Sequence, residues 1–187
     1  MAIPSDTAPP GAADIVLRRA DLAGLPRPHA PPPYAVRSFR AGDEPAWADL
    51  CAAAFPDVPD PRGIPAREFL GRPAWRPERM FFVCLRDVPV ASAAAWENPD
   101  RWGPRTGQVH WVATDPAHRG RGLARAAVCA ALRWMRGPYD RAVLVTQVHR
   151  LPAIRLYLGL GFRPDFEAFP EMAARWAAVT AALRETA

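Results

Sequence analysis

The sequence contains no lysine, so its 24 basic residues are all arginines. They outnumber the 19 acidic residues and give the chain a formal charge of +5. A positive charge suits an anionic cofactor or a nucleic acid. The arginines, however, are dispersed along the chain and form no basic block, which argues against DNA or RNA as a partner. We therefore predict an anionic cofactor and no nucleic acid.

Cysteine is scarce, and long apolar runs are missing. Cys51, Cys84 and Cys129 are widely spaced in apolar surroundings, which favours buried thiols over disulfides or a zinc site. No stretch approaches the roughly 18 apolar residues of a membrane span. The start also lacks the basic and apolar regions of a secretory signal. These absences predict a cytoplasmic protein with no metal and no membrane association.

Proline is unevenly distributed among its 23 positions and is concentrated near the start of the chain. Because proline lacks the N–H group that helices and sheets need, we predict a Pro/Ala-rich tail over residues 1–33. Within it, residues 14–19 are apolar enough to dock as an extended arm, although a structureless segment fits equally well. One domain is predicted over residues 34–187.

Hydrophobic periodicity in that domain predicts alternating strands and helices. We expect strands over residues 34–39, 80–85, 90–96, 107–114, 142–146 and 162–169, and helices over 44–54, 123–136 and 152–158 and after residue 170. Between residues 107 and 146 a predicted helix joins two predicted strands, and such a connection should make the two strands parallel. The last helix carries an apolar stripe, which either packs on the core or forms a homodimer contact. Its members are Met172, Trp176, Val179 and Leu183.

A glycine-rich segment over residues 119–124 lies between a predicted strand and a predicted helix. A turn at such a place exposes consecutive main-chain N–H groups, and the helix dipole adds partial positive charge. The segment is therefore a candidate site for a diphosphate, with Arg119 and Arg121 offering charge-assisted hydrogen bonds. It lacks both the Gly-Lys-Ser/Thr of a Walker A loop and the full dinucleotide fingerprint, so a different phosphate ligand is predicted.

Two motifs resemble those of the GNAT superfamily of acetyltransferases. Residues 112–124, with the sequence Val-Ala-Thr-Asp-Pro-Ala-His-Arg-Gly-Arg-Gly-Leu-Ala, are similar to the strand end and pyrophosphate loop of that family. Residues 153–162, Ala-Ile-Arg-Leu-Tyr-Leu-Gly-Leu-Gly-Phe, are similar to its second signature, at the expected distance. The order of the predicted strands and helices also agrees with the fold of that family, so the resemblance extends over roughly residues 34–169.

The resemblance implies a GNAT-type α+β fold. Its central sheet is mixed, twisted and mostly antiparallel, has a parallel strand pair splayed at the cofactor site and carries helices on both faces. The implied activity is transfer of an acetyl group from acetyl-CoA to a primary amine, by direct attack in a ternary complex. The implied coenzyme-binding residues are Val112, Ala113 and Thr114 for the pantetheine arm and Arg119, Gly120, Arg121, Gly122, Leu123 and Ala124 for the pyrophosphate.

The predicted reaction needs an acid and a base. The resemblance implies that Tyr157 protonates the leaving thiolate, while the alternative is a tyrosine that only packs in the core. Because a primary amine is mostly charged at neutral pH, a base is also required. His110 is the first candidate, with Glu97 as the alternative, either of them acting directly or through water. The acceptor is expected to be a small-molecule amine.

The strand over residues 107–114 borders the expected cleft. Its alternation predicts Val109, Trp111 and Ala113 on one face. The other face would then carry Gln108, His110, Val112 and Thr114.

One position departs from the family pattern. Three residues before the conserved Ala the family often has Asn, where this chain has Arg150. A cofactor contact made by that Asn is therefore not expected, and Arg150 can instead meet an acceptor or a phosphate. With no clear base in the sequence, this departure also motivates a second hypothesis, a non-catalytic acetyl-CoA-binding sensor of the same fold.

Overall fold

The structure, a computed structural model, describes residues 14–185. Its strands are β1 (Asp14–Arg19), β2 (Tyr34–Ser38), β3 (Met80–Leu85), β4 (Val88–Glu97), β5 (Thr106–Thr114), β6 (Arg141–Gln147) and β7 (Arg163–Pro164). Its α-helices are α1 (Glu44–Ala54), α2 (Pro99–Trp102), α3 (Leu123–Met135), α4 (Leu151–Gly159) and α5 (Ala173–Glu185). The predicted strands and helices are thus largely present, with differences at their ends.

All seven strands belong to one sheet, in the order β2-β3-β4-β5-β6-β1-β7. Neighbouring strands are antiparallel except β5 and β6, which are parallel. The parallel pair is the one joined by α3, as a crossover connection requires. The predicted fold class, a mostly antiparallel mixed sheet with one parallel pair, is therefore confirmed.

Two hydrophobic clusters cover the two faces of the sheet, and β4 contributes to both. Ala91, Ala93 and Ala95 belong to the cluster that includes α3 and α4, whereas Ala94 and Trp96 belong to the cluster that includes α1. Since alternate residues of a strand point to opposite faces, the helices lie on both sides of the sheet. The apolar stripe of α5 packs against the α3 cluster, as one of the two interpretations predicts.

Residues 14–19 form an internal strand of the sheet. β1 pairs with β6 along its whole length and with β7 at Leu17 and Arg18. Ile15, Val16 and Leu17 are completely buried. The remainder of the predicted tail before residue 14 lies outside the described residues. The first strand of the structure is therefore part of the hydrophobic core, and its side chains should contribute to stability.

Leu17→Ala is expected to lower the free energy of unfolding by about 2–5 kcal/mol, because it removes buried methyl groups and leaves a cavity. Urea denaturation followed by circular dichroism measures this change. Arg27→Ala is the control, since Arg27 is exposed and lies in the same segment of chain; its effect should stay within about 0.5 kcal/mol. An unchanged urea midpoint for Leu17→Ala would mean that β1 does not unfold together with the core.

The last strand is shorter than predicted. Residues 162–169 were expected to form a strand, but β7 has only two residues. Pro164 has no N–H to donate to a ladder. The carboxylate of Asp165 instead accepts a hydrogen bond from Arg18 Nε at 2.6 Å. The chain then turns towards α5.

Candidate functional site

The two parallel strands separate along their length and open a cleft. β5 and β6 pair only over three positions, from Thr106 with Arg141 to Gln108 with Val143. Beyond that point β5 continues to pair with β4, and β6 continues to pair with β1. The cleft between them has a volume of about 720 Å³ and is lined by β5, the glycine loop and α4. Its walls include the open main-chain edge of β5 after Gln108.

A β-bulge in β5 changes which side chains face the cleft. Ala94 pairs with His110 and Ser92 with Ala113, so β5 has one more residue than β4 between these pairs. Trp111 adopts a positive φ of 45° within the bulge. The predicted alternation is therefore wrong from Trp111 onward. Val109 belongs to the α3 cluster, whereas Trp111 belongs to the α1 cluster.

The glycine loop presents main-chain donors to the cleft. Gly120 and Gly122 have φ values of +76° and +74°, and a Cβ atom on either would meet nothing within 4 Å. α3 then begins at Leu123 without a side-chain cap. Within the described part of the chain, the N–H groups of residues 120–125 have no hydrogen-bond acceptor. Consecutive free N–H groups at a helix start are a typical phosphate-binding arrangement, so the loop fits a diphosphate.

The two arginines of the loop have different surroundings. Arg119 lines the cleft, and its main-chain N–H closes a turn with the Pro116 carbonyl at 3.4 Å. Arg121 Nη1 donates a hydrogen bond to the Tyr34 hydroxyl at 2.7 Å. That hydroxyl also lies 2.9 Å from His118 Nδ1. The Arg121 side chain therefore fastens the loop to the start of β2, and its main-chain N–H is the group left for a ligand.

Tyr157 lies on α4 and lines the cleft with only 6 % of its surface exposed. Its ring packs edge-on against Phe162, with 6.0 Å between the centroids. Burial raises the pKa of the Tyr157 hydroxyl, and the positive charge of Arg150 partly opposes that rise. The phenol therefore stays protonated at neutral pH, which is the form that a proton donor requires.

His110 also lines the cleft, and its hydrogen bonds fix its tautomer. Trp102 Nε1 donates to Gln108 Oε1 at 2.8 Å, so the amide group of Gln108 points its Nε2 towards His110 Nδ1, 3.1 Å away. Because an indole N–H can only donate, Gln108 cannot be turned the other way. His110 Nδ1 is then the acceptor, and the neutral ring carries its proton on Nε2.

Glu97, the alternative base, faces another part of the molecule. Its carboxylate accepts a hydrogen bond from the Tyr139 hydroxyl at 2.6 Å and forms an ion pair with Arg79 at 2.7 Å. Burial alone would raise its pKa, but these two partners lower the pKa below the ordinary value. Glu97 is not among the described residues that line the cleft. This placement favours His110 over Glu97 as the candidate base.

Several cleft residues were not found by sequence reasoning. Phe55 and Arg125 line the cleft, and so does Gln108, which the sequence had placed only on a face of the strand that borders it. For Gln108 a signal existed, since a lone amide in an apolar strand needs a partner when buried. For Arg125 the signal was its place in the first turn of the helix that follows the glycine loop.

The three cysteines are free and buried, which confirms the predicted buried thiols. Burial raises the pKa of Cys51 to about 12. Among the residues that the structure describes as lining the cleft there is no cysteine. No helix between residues 14 and 185 is long and apolar enough to cross a bilayer.

The sequence was compared with those of known protein families and curated proteins. A sequence profile of the Acetyltransferase (GNAT) family matches residues 45–162. A mycothiol acetyltransferase of Thermobispora bispora is 35% identical over 157 residues, which cover 78% of this chain and 52% of the relative. A mycothiol acetyltransferase of Acidothermus cellulolyticus is 33% identical over 165 residues, covering 79% and 50%. This chain thus spans about half the length of these curated relatives.

A solved structure supports the same fold. The GCN5-related N-acetyltransferase from Sphaerobacter thermophilus superimposes with a TM-score of 0.61 at 23% identity. The superposition covers 81% of this chain and 48% of the other. At that identity the likeness concerns the fold, which agrees with the splayed parallel pair described above.

Proposed function

This chain belongs to the Acetyltransferase (GNAT) family, and from that premise we propose that it transfers an acetyl group from acetyl-CoA to the primary amine of a small molecule. The observation that carries the proposal is the row of main-chain N–H groups at residues 120–125, which have no acceptor among the described residues; all of these residues except Arg121 line the cleft. Unmet donors at a helix start are stabilised by a bound anion. The diphosphate of coenzyme A supplies that anion.

The cleft residues divide into three roles in this proposal. Residues 120–124 hold the diphosphate through their N–H groups, and Arg119 adds a charge-assisted contact. Val112, Ala113 and Thr114 offer a strand edge to the pantetheine arm. Tyr157 lies across the cleft on α4 and faces the reacting end. The bulge at Trp111 re-aims the N–H groups around Val112, where one can stabilise the charge that develops on the thioester oxygen.

The chemistry is a direct displacement. The neutral amine nitrogen attacks the thioester carbonyl carbon, a C–N bond forms, and the C–S bond breaks. Tyr157 gives its proton to the departing sulfur and recovers one from solvent. The raised pKa of Tyr157 keeps that proton in place until the thiolate appears. The products are the acetylated amine and free coenzyme A, and the proton that the amine nitrogen loses balances the one that Tyr157 recovers from solvent.

We assign the removal of the amine proton to His110, directly or through water. The lone pair that can take this proton is on Nδ1, because Gln108 directs its N–H there. Accepting the proton therefore requires His110 to give up the hydrogen bond from Gln108. The rate should accordingly depend on the fraction of acceptor that is already neutral, and it should rise with pH on the acid side.

The acceptor class follows from two considerations. The relatives that match most of this chain carry the name of a small-molecule acetyltransferase. The cleft volume of about 720 Å³ lies within the usual range for small-molecule sites. Both support a small amine as the acceptor. A sensor that binds acetyl-CoA without turnover is the second candidate, favoured by the hydrogen bond that occupies the basic nitrogen of His110.

Calorimetry with coenzyme A and an assay of thiol release from acetyl-CoA test the proposal together. We expect coenzyme A to bind with micromolar affinity, and thiol release to depend on added amine. Binding without release for any amine of a broad panel would favour the sensor. No binding at millimolar coenzyme A would end both candidates.

A further inference from the structure

Arg150 places a positive charge in the cleft. It precedes the first residue of α4, lines the cleft and lies close enough to Tyr157 for its charge to act on that phenol. Its guanidinium carbon lies 5.5 Å from the ring centroid of Phe55, which also lines the cleft. Arg150 thus shares the cleft with Tyr157 and contacts the aromatic residue that follows α1.

Among the described residues, the guanidinium of Arg150 contacts the Phe55 ring but forms no hydrogen bond or ion pair. Its Nε is buried without a hydrogen-bond acceptor, and within residues 14–185 no ion pair involves this side chain. Asp57 and Asp14 act on it only from a distance, and the Asp14 carboxylate already accepts from Gln147 Nε2 at 3.0 Å. Burial lowers the pKa of Arg150, and the charge of Arg119 adds to that effect.

Arg150 is partly buried, a partly buried charge without a counter-ion is costly, and in a binding cleft the counter-ion can come from the ligand. The glycine loop provides main-chain donors for the phosphates, so the charge of Arg150 is available for another anion. A planar guanidinium binds a carboxylate with two parallel hydrogen bonds. Phe55 and Trp111, with ring centroids 5.2 Å apart, form an apolar wall beside it that suits an organic side chain.

We propose that Arg150 binds a carboxylate of the acceptor, so that the acceptor is an amine bearing a carboxylate within a few bonds, as in a free α-amino acid. The inference rests on the proposed function and deepens it by naming the acceptor class. Since Arg150 and Tyr157 line the same cleft, an anion held by Arg150 would keep a neighbouring amine within the cleft that holds the thioester. A longer separation between amine and carboxylate would place the amine away from Tyr157.

Matched acceptor pairs test this directly. The twenty common L-amino acids and their carboxamides are compared by thiol release from acetyl-CoA, using the full chain. For at least one pair we expect the acid to exceed its amide in kcat/KM by about 30- to 100-fold, the usual scale for a charge-assisted hydrogen bond. In Arg150→Gln the ratio should fall to about 1, and Arg150→Lys should restore part of it.

Two controls separate selectivity from general damage. Arg155→Gln removes the same charge from an exposed position of α4, the helix that Arg150 precedes, and it should leave the acid-to-amide ratio unchanged. The dissociation constant of coenzyme A, measured by calorimetry, should stay within about twofold in Arg150→Gln. If Arg150→Gln fails to fold, as judged by its thermal unfolding, Arg150→Lys with its weakened ratio serves as the test variant.

Three outcomes would overturn the inference. In the first, the parent protein uses amides as well as acids; in the second, it binds coenzyme A but acetylates none of the amino acids. In the third, the acid-to-amide ratio is unchanged in Arg150→Gln, and an accompanying loss of coenzyme A affinity of about tenfold would assign Arg150 to the phosphates. Failure of the proposed function is recognised separately, as absence of coenzyme A binding by the parent protein.

Discussion

Tyr157→Phe is expected to lower kcat by about 100- to 1,000-fold while the dissociation constant of coenzyme A stays within about twofold. The variant keeps the ring that packs against Phe162 and loses only the hydroxyl. Without that proton donor the thiolate must leave unprotonated or take a proton from water, which raises the barrier of the chemical step. Thiol release at saturating acetyl-CoA gives kcat, and calorimetry gives the affinity.

Tyr139→Phe is the matched control for this experiment. Tyr139 is also a buried tyrosine, but its hydroxyl donates to Glu97 and it does not line the cleft among the described residues. Its loss should cost about 1 kcal/mol of stability and leave kcat unchanged. A kcat for Tyr157→Phe equal to that of the parent would remove Tyr157 from the reaction and leave it a packing residue.

The pH profile of kcat adds a second readout. Burial raises the pKa of Tyr157, so its acid form persists above the pH at which an ordinary tyrosine ionises. The fall of kcat on the alkaline side should therefore begin above about pH 10, the ordinary pKa of tyrosine. In Tyr157→Phe the alkaline fall should vanish, because the titrating group is gone.

The cleft could be predicted from sequence because its main parts are local. The glycine loop needs two positive φ values followed by the start of a helix. Residues 120–123 meet both needs, because Gly120 and Gly122 have positive φ and α3 begins at Leu123. The position of Tyr157 in the second motif follows in the same way from one short helix. Short-range chemistry of this kind is what a sequence displays directly.

The parts that escaped prediction depend on contacts between distant segments. The register of β5 changes at Trp111 because of the pairing with β4, and no residue type in the strand announces that bulge. The tautomer of His110 depends on an indole six residues before Gln108, through a hydrogen bond that only the folded chain forms. The placement of β1 between β6 and β7 likewise depends on partners more than 100 positions away.

Arg150 combines a feature visible in the local sequence with one that depends on contacts between distant segments. The sequence motif identified it as a departure from the family, but it did not show whether the side chain would face a phosphate, an acceptor or solvent. That answer depends on the packing of Phe55 at the end of α1 against the start of α4. A change at one position of a motif therefore acquires meaning only from the residues that the fold brings to it.

Gly122→Val should raise the dissociation constant of coenzyme A by about 100-fold. The φ of +74° at Gly122 is strained for a residue with a Cβ, and the new side chain would enter the open space beside the free N–H groups. Both effects disturb the contacts between the loop and the diphosphate. Losing two charge-assisted hydrogen bonds costs about 3 kcal/mol, which corresponds to the expected change in the dissociation constant. Calorimetry with coenzyme A measures the change.

Gly24→Val separates backbone strain from the loss of the phosphate site. Gly24 has a φ of +61°, a Cβ atom added there would meet no other atom within 4 Å, and the residue lies away from those described as lining the cleft. It should lose a similar amount of stability to strain and bind coenzyme A as the parent does. Equal affinity in Gly122→Val and Gly24→Val would mean that the N–H groups of residues 120–125 do not hold the diphosphate, and the proposed function would lose the observation that carries it.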